Sequence, residues 1–414
     1  MKTVIDLFII AGEASGDQLG EGLLQALCTN NLKSREFDKK GPQNFCSEQA
    51  TIADKQGASE KKNSEIDLTQ AKTDSSSCLC IPPSQLKIMG IGGPKMRAAG
   101  MKTIFPMENL QVMGFIDVLF ALPHLIRCFN KTVDAILKTQ PKAVVTIDYP
   151  GFNLRLARAL RKKGFQGKIC HYVCPSVWAW GKKRISLMAE NLDLLLSILP
   201  FEKHLFSNTN LTVEYIGHPL VQKLSVQENP DPQLIAFFPG SRTKEIERNF
   251  PYFIRLIESL KDSYRCVVSV SQEKYRPLLK KMAPNLPLAT PAEMKKLKPF
   301  LAVAKSGTIT LELALQGIPT VVTYAVSPLD VFLAKHLFKI SLPYYALPNL
   351  IANKPLFPEL IGPALSDETL LQEVKNLITN HDRAQSACLS LQTILGTENA
   401  NQRAAQLILT LLKE

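Results

Sequence analysis

Residues 4–27 read VIDLFIIAGEASGDQLGEGLLQAL and carry the three parts of an α/β unit in order. The apolar run Val4–Ile10 predicts a buried strand, and AGEASGD predicts a tight turn directly after it. A helix is expected next, with apolar side chains at helical spacing at Leu19, Leu23, Leu24 and Leu27. A strand that turns into such a helix is typical of parallel sheets flanked by helices.

The same alternation of strand-like and helix-like runs continues through most of the 414 residues. Strands are predicted at 4–10, 86–90, 143–147, 169–173, 194–198, 213–216, 234–238, 266–270, 301–304 and 320–324. Because helical segments separate them, we expect an α/β fold with two Rossmann-like, doubly wound domains that face a central cleft.

Composition indicates where the domains end. Residues 223–233 contain Asn229-Pro-Asp-Pro232 and are predicted to form a linker between an N-terminal domain at 1–222 and a C-terminal domain at 234–385. Helices at 386–414 are expected to cross back to the first domain. Residues 31–80 contain eight Lys or Arg, eight Asp or Glu, few large apolar residues and no sustained periodicity. Such a segment buries too little apolar surface to offset its ordering entropy, which predicts a disordered insertion.

The composition of the whole chain restricts its class. An apolar fraction of 45% and a charged fraction of 21%, without a membrane-length apolar run or signal-peptide features, predict a soluble globular protein. The nine cysteines are scattered without a CxxC pair, which argues against disulfides and zinc and favours the reducing cytoplasm. The formal charge of +12 favours an acidic partner, such as nucleic acid, a phosphorylated metabolite or an anionic membrane.

Loops beyond the carboxyl ends of parallel strands are the first places to look for a site. Gly12, Ser15, Gly16 and Asp17 follow the first strand and either cap a helix or let a sugar or phosphate approach its N terminus. Their spacing differs from the GxGxxG dinucleotide fingerprint, which by itself favours the cap. Asp148 follows the third predicted strand and either caps the next helix or serves as a general base in the cleft.

Two loops of the second domain join a strand to the start of a helix. The first contains Gly240, Ser241 and Arg242, whose amides and guanidinium suit a diphosphate. The second contains Ser306-Gly307-Thr308, and Glu312 lies one turn further along the same helix face. A carboxylate there can accept both hydroxyls of a ribose. Simple capping and a solvated carboxylate are the alternatives, but two such loops in one domain favour a nucleotide.

Nine motifs, in chain order, resemble those of the lipid-A-disaccharide synthases, which are GT-B glycosyltransferases of family 19. They are AGEASGD (11–17), GIGGPKM (90–96), NLQVMGFIDVL (109–119), DYPGFNLRLA (148–157), HYVCPSVWAW (171–180), IGHPL (216–220), PGSR (239–242), SGTITLE (306–312) and LPNLIA (347–352). The resemblance covers nearly the whole chain outside 31–80.

The resemblance implies an inverting, metal-free and cofactor-free glycosyl transfer. UDP-2,3-diacylglucosamine and 2,3-diacylglucosamine 1-phosphate would give the β(1→6) lipid A disaccharide 1-phosphate and UDP. Asp148 matches the family's essential aspartate and is the implied base. The UDP-sugar would contact Gly240, Ser241, Arg242, Ser306, Gly307, Thr308, Glu312 and Asn349 in the C-terminal domain. The acceptor would contact Gly12, Glu13, Ser15, Gly16, Asp17, Trp178 and Trp180 in the N-terminal domain.

Several positions depart from the family pattern. Cys174 replaces a serine, Asp117 a glutamate and Lys305 a small residue. Ile361 lies where we expect the glutamine of a PELxQ stretch, which leaves the role of that stretch open.

Acyl chains on both substrates imply a peripheral protein at the cytoplasmic face of the inner membrane. Residues 112–129 place apolar side chains on more than one helix face, more than burial of one face needs. The predicted membrane or acyl contacts are Val112, Met113, Phe115, Ile116, Leu119 and Phe120. Trp178 and Trp180, the chain's two tryptophans, precede the basic run Lys182–Arg184 and suit an apolar wall beside phosphate or lipid headgroups. Core burial of the helix and ordinary packing of the loop are the alternatives.

Two other functions compete with glycosyl transfer. A UDP-sugar epimerase of similar build would share the second-domain loops and need no acyl surface. A basic nucleic-acid-binding protein would explain the charge of +12, but the positive residues are not interleaved with stacking aromatics in a recognisable module, so no nucleic-acid partner is expected. The oligomeric state, a homo-oligomer included, and the acyl-chain length stay open.

Overall fold

A computed structural model describes residues 5–39, 86–110, 115–179, 181, 183–326 and 342–413. Within these residues the strands form two sheets of seven and six strands, and every pairing is parallel. Helices connect most of the consecutive strands within each sheet, as is usual for the crossover between parallel strands. The predicted α/β fold with two doubly wound units is confirmed.

The first sheet has the strand order β3-β2-β1-β4-β5-β6-β7. Its elements are β1 (Leu7–Ala11), α1 (Ala14–Lys39), β2 (Ile88–Ile91), α2 (Pro94–Ala98), β3 (Lys102–Thr103), α3 (Phe115–Thr139), β4 (Ala143–Ile147), α4 (Pro150–Lys162), β5 (Lys168–Tyr172), α5 (Lys183–Asn191), β6 (Leu194–Ser197) and β7 (Thr212–Tyr215). Strands β1 and β4 are adjacent at the centre and wholly buried, so the loops that follow them open side by side.

The second sheet has the order β10-β9-β8-β11-β12-β13. In chain order, the elements from this sheet to the C terminus are β8 (Asp231–Phe238), α6 (Thr243–Leu260), β9 (Arg265–Ser269), α7 (Arg276–Met282), β10 (Leu288–Ala289), α8 (Pro291–Leu297), β11 (Pro299–Lys305), α9 (Thr308–Leu315), β12 (Thr320–Tyr324), α10 (Leu347–Ala352), β13 (Glu359–Ile361), α11 (Asp367–Thr379), α12 (His381–Leu395) and α13 (Ala400–Leu411). Adjacent β8 and β11 again bring two loops together, here those that begin α6 and α9.

All of the predicted strands are present, with their ends displaced by a few residues. The short strands β3, β10 and β13 were not predicted. Each is an edge strand of its sheet and is only two or three residues long, so no apolar run marks it in the sequence.

Two boundaries within the units differ from the sequence prediction. Helix α1 continues to Lys39, so residues 31–39 are helical rather than part of a disordered insertion; their Leu, Lys, Arg and Glu residues favour helix. The remainder of that insertion, 40–80, lies outside the described residues. Strand β8 begins at Asp231, inside the predicted linker, because Asp231 pairs with Pro299 of β11 and its carboxylate binds Arg265 of β9.

The C-terminal helices divide between the two units. Helix α12 packs beside α9 and α10, in an apolar cluster that includes Leu311, Cys388 and Leu391. Helix α13 lies against α1 and adds Ala404, Ile408 and other residues to the core of the first unit. The crossing therefore begins near Gly396, later than the predicted 386. No helix among the described residues is apolar over the length that a bilayer crossing would need.

Candidate functional site

The first candidate site lies where the loops after β1 and β4 meet. Ser15, in the first turn of α1, donates a 2.8 Å hydrogen bond from Oγ to Oδ2 of Asp148. The pair is possible because β1 and β4 are neighbours in parallel register, with Ala11 opposite Ile147. Two predicted site residues that are 133 positions apart are therefore in direct contact.

The backbone fixes where the Asp148 carboxylate lies. Asp148 and Tyr149 have φ values of 51° and 48°, in the left-handed region that non-glycine residues seldom adopt. Asn153 stabilises this turn by donating a 2.7 Å hydrogen bond to the carbonyl oxygen of Asp148. The residue that precedes α4 is Tyr149, and no side chain caps the helix there. The alternative in which Asp148 caps the helix is therefore wrong.

Gly12 permits the close packing of this corner. A Cβ at this position would lie 2.2 Å from Cδ1 of Tyr149, so a larger residue would displace the ring. The Tyr149 hydroxyl donates a 3.2 Å hydrogen bond to the carbonyl oxygen of Leu110, and its ring stacks on Phe152. The absence of a side chain at Gly12 thus leaves room for the ring of Tyr149, the residue after Asp148.

Asp17 has a structural role, which corrects its prediction as an acceptor contact. Its side chain is buried, and its two oxygens accept 3.0 Å hydrogen bonds from the amides of Lys95 and Met96. These amides belong to the first turn of α2, so Asp17 fastens α2 to α1. Lys95, whose amide donates to Asp17, is 78 residues further along the chain, so no local sequence pattern reveals this contact.

Glu13 connects the first site with the second sheet. Burial raises the pKa of Glu13, and the negative charge of Asp148 raises it further, while the positive charge of Arg242 opposes both. Arg242 belongs to the loop between β8 and α6. Arg242 is therefore near enough for its charge to act on the Glu13 carboxyl, although the two residues belong to different units.

The second candidate site is a cavity of about 350 Å³ beyond the carboxyl ends of the second sheet. Its lining includes the predicted Gly240, Ser241, Ser306, Gly307, Thr308 and Glu312. Among the described contacts, the amides of Thr308 and Ile309 at the start of α9 have no carbonyl partner and are available to an anion, whereas the amide of Thr310 donates to the Gly307 carbonyl at 3.1 Å. Gly240 has φ of 134°, and a Cβ there would lie 2.8 Å from Cβ of Glu245, so this turn requires glycine. The two predicted loops therefore do converge.

Glu312 lies half-buried in the cavity wall, one turn into α9. Burial raises the pKa of its carboxyl, and the nearby Lys295 opposes that change. Among the described residues, its carboxylate has no hydrogen-bond or ion-pair partner. The oxygens are therefore available to accept hydroxyl groups from a ligand.

Two residues of this cavity were not foreseen. Glu245, on the first turn of α6, accepts hydrogen bonds from the Ser241 amide at 3.1 Å and from Arg242 and Lys305 at 3.0 Å each. Although burial alone would raise the pKa of Glu245, these donors lower it. Ser271 contributes a buried hydroxyl that has no partner among the described residues. In the sequence, the feature that could have identified Ser271 as a site residue is its position two residues beyond the end of β9.

Asn349 also has a structural role, which corrects its prediction as a UDP-sugar contact. It is buried, donates to the carbonyl of Phe357 and to Glu359 at 2.8 Å each, and accepts from the Phe357 amide at 2.9 Å. Glu359 in turn accepts from the amides of Tyr345 and Ala346. In the stretch 358–362, Ile361 pairs with Tyr324, and the glutamine position of a PELxQ pattern falls on Gly362 rather than on Ile361.

Trp178 packs at the junction of the two units. It is part of the apolar cluster that contains Leu199 from the first unit and Leu311 and Phe357 from the second, and its ring meets Phe201 edge to face at 5.9 Å. Because Trp178 is only partly buried there, its contact with the acceptor stays a prediction. Trp180 lies outside the described residues.

The predicted membrane contacts are only partly visible. Val112 and Met113 lie outside the described residues, while Phe115, Ile116, Leu119 and Phe120 lie in α3, in a part whose side chains are not described. Further along the same helix, α3 exposes Leu122 by 49% and Ile126 by 51%. Within the described residues, no three His, Cys, Asp or Glu side chains are grouped as metal ligands.

These two parallel-sheet units, with loops that meet at their facing edges, define the GT-B architecture. A family model described as lipid-A-disaccharide synthetase matches residues 77–411, and the chain belongs to this family. It is 30% identical to the lipid-A-disaccharide synthase of Azotobacter vinelandii over 433 residues, which cover 99% of each chain.

One further relative matches a smaller part of the chain, and one solved structure matches it at low sequence identity. The lipid-A-disaccharide synthase of Chlamydia pneumoniae is 42% identical over 297 residues, and the match spans 67% of this chain but only 49%, about half, of that relative. A UDP-GlcNAc 2-epimerase from Neisseria meningitidis, solved bound to UDP-GlcNAc, is 12% identical, with a TM-score of 0.51 over 80% of this chain and 92% of that one. The likeness to this epimerase shows the fold alone.

Proposed function

We propose that the protein transfers 2,3-diacylglucosamine from UDP-2,3-diacylglucosamine to O6 of 2,3-diacylglucosamine 1-phosphate, which releases UDP and gives a β(1→6) disaccharide 1-phosphate. Family membership supports the reaction class. The observation that carries the proposal is the pairing of two half-sites: a carboxylate on a strained turn, Asp148, and a cavity with an open helix start and a free carboxylate, Glu312.

The donor occupies the cavity of the second sheet. Its diphosphate faces the amides that begin α9 and the loop of Gly240, Ser241 and Arg242, because helix starts and guanidinium groups favour anions. The ribose hydroxyls donate to Glu312, whose carboxylate has no other partner among the described residues. The solved neighbour with UDP-GlcNAc bound supports a UDP-sugar in such a fold.

Asp148 acts on the acceptor. The anomeric carbon of an α-linked donor must be attacked from the face opposite UDP to give a β product, so a base has to stand on the side of the first sheet. The Asp148 carboxylate is there, oriented by Ser15, and it accepts the proton of the 6-hydroxyl as the new bond forms. Negative charge grows on the departing UDP, where the helix start and cations stabilise it.

The lipid chains of both substrates lie along α3. Leu122 and Ile126 are one turn apart and exposed, and they continue the apolar stretch that the sequence places at 112–120. We place this surface against acyl chains at the cytoplasmic face of the inner membrane, with the protein bound peripherally. The basic run at 182–184 meets phosphate or anionic headgroups.

Mass spectrometry after incubation of purified protein with both diacylated substrates, dispersed in detergent, tests the reaction. The expected product is a disaccharide 1-phosphate that forms only when both substrates are present. A parallel incubation with UDP-N-acetylglucosamine alone tests the epimerase alternative, which the fold also allows. Epimer formation without an acceptor, or absence of disaccharide with well-dispersed lipids, would contradict the proposal.

A further inference from the structure

Lys305 is an unusual cation at the floor of the cavity. It ends β11, directly before the loop Ser306-Gly307-Thr308, and β11 is adjacent to β8, whose end leads into the loop of Gly240, Ser241 and Arg242. Its Nζ is 3.0 Å from Oε1 of Glu245, and the two side chains are only 15% and 10% exposed. The resemblance leads us to expect a small residue here, so this side chain is a feature of the present sequence.

The charges of this cluster do not balance. The Glu245 carboxylate contacts two cations, Arg242 and Lys305, so these three side chains carry a net charge of +1. The described contacts of the Lys305 ammonium are this carboxylate and the face of the Tyr324 ring, 4.7 Å from its centroid. An ammonium has three N–H donors, and Lys305 lines the cavity, so a donor remains for a ligand there.

The two cations of the cluster differ in burial. The Arg242 side chain is 79% exposed at the rim, while Lys305 is nearly enclosed. Water screens an exposed charge strongly, and the same charge acts more strongly on an anion in a partly dry site. Lys305 is therefore the better placed of the two to act on a phosphate that enters the cavity.

We propose that Lys305 is a diphosphate-binding residue of this chain, kept in place by Glu245 and positioned to contact the β-phosphate of the UDP-sugar, which is the phosphate bonded to the sugar. The inference rests on the proposed function. When the bond between that phosphate and the sugar breaks, its electron pair stays on the phosphate oxygen, and the Lys305 ammonium stabilises the new charge without giving up its proton.

Calorimetry with three ligands of decreasing charge tests this contact. We expect Lys305→Gln to weaken UDP binding about tenfold or more, to weaken UMP binding less and to leave uridine binding unchanged, because the loss follows the outer phosphate. Lys375→Gln, at an exposed position on α11, is the matched control and should change none of the three. Glu245→Gln keeps Lys305 and should preserve the preference for UDP over UMP.

The outcomes separate the inference from the proposed function. If the wild type binds UDP but Lys305→Gln keeps the wild-type ratio of UDP to UMP affinity, Lys305 merely supports Glu245 and the inference is wrong. If the wild type binds no UDP, the proposed donor site itself is wrong. If Lys305→Gln does not fold, reductive methylation of the wild type followed by mass spectrometry provides the test. UDP should protect Lys305 from methylation more than uridine does. Equal methylation of Lys305 in the presence of the two ligands would refute the contact.

Discussion

The hydroxyl of Ser15 donates a 2.8 Å hydrogen bond to the carboxylate of Asp148, and this contact joins the loops that follow the two central strands of the first sheet. It leaves the second carboxylate oxygen, Oδ1, without a hydrogen bond among the described residues. A carboxylate that is oriented by one oxygen and open at the other suits proton acceptance from a bound hydroxyl.

Asp148→Asn should lower turnover by about 10²- to 10⁴-fold, because it keeps the size of the side chain and removes the basic oxygen. UDP affinity and the melting temperature should stay close to wild type. Turnover measured at saturating lipid substrates checks the effect, and a rate within a few-fold of wild type would exclude the base role.

Ser15→Ala should lower turnover much less than Asp148→Asn, by about fivefold, since it removes one orienting hydrogen bond worth about 1 kcal/mol and leaves the base in place. The acidic limb of the pH–rate profile should remain. Equal losses in the two variants would mean that Ser15 takes a larger part in the chemistry than orientation.

Glu312→Ala should weaken the binding of UDP, UMP and uridine alike, because all three carry the ribose. Calorimetry should show a loss of at least about tenfold, because each hydrogen bond to a charged acceptor is worth about 1.5 kcal/mol or more. Glu247→Ala, an exposed glutamate on α6, is the control. A loss confined to UDP would move Glu312 away from the ribose, and membrane association should be unchanged in every case.

Glu202 should make the stability of the protein depend on pH. It is 1% exposed and accepts a 2.7 Å hydrogen bond from Ser197, and burial raises the pKa of its carboxyl to about 7. A raised carboxyl pKa favours the protonated form in the folded state, so stability falls as the pH rises from about 4.5 towards 7 and then levels off.

Glu202→Gln should therefore be more stable than wild type at pH 8, by roughly 3 kcal/mol, and by less than about 1 kcal/mol at pH 5. Urea unfolding at the two pH values measures the difference. Glu247→Gln should not change the pH dependence. An identical pH dependence in wild type and Glu202→Gln would show that Glu202 does not titrate in this range.

Deletion of residues 40–80, with a short Gly-Ser connection, should preserve folding and most activity, since the composition of this segment predicts disorder. The end of α1 at Lys39 sets the boundary of the deletion. Circular dichroism and the disaccharide assay test it, and loss of folded protein would show that the segment packs into the structure.

The sequence by itself determined the succession of elements and the loops that matter. Apolar runs such as Ala143–Ile147 are long enough to identify buried strands, and in a parallel sheet the residues beyond their carboxyl ends share one edge. Asp148, Ser306 and Glu312 could be found in this way, because strand ends and helix starts are local features of the chain.

Only the tertiary structure decided what each of these side chains contacts. Asp17 and Asn349 occur in motifs together with the candidate site residues, yet their polar atoms bind distant backbone groups, and Trp178 packs between the two units. Likewise, Glu245 and Lys305 are 60 residues apart. A motif records which residues are near in the chain, whereas hydrogen bonds and ion pairs depend on distances of about 3 Å that are set when the sheets and helices pack.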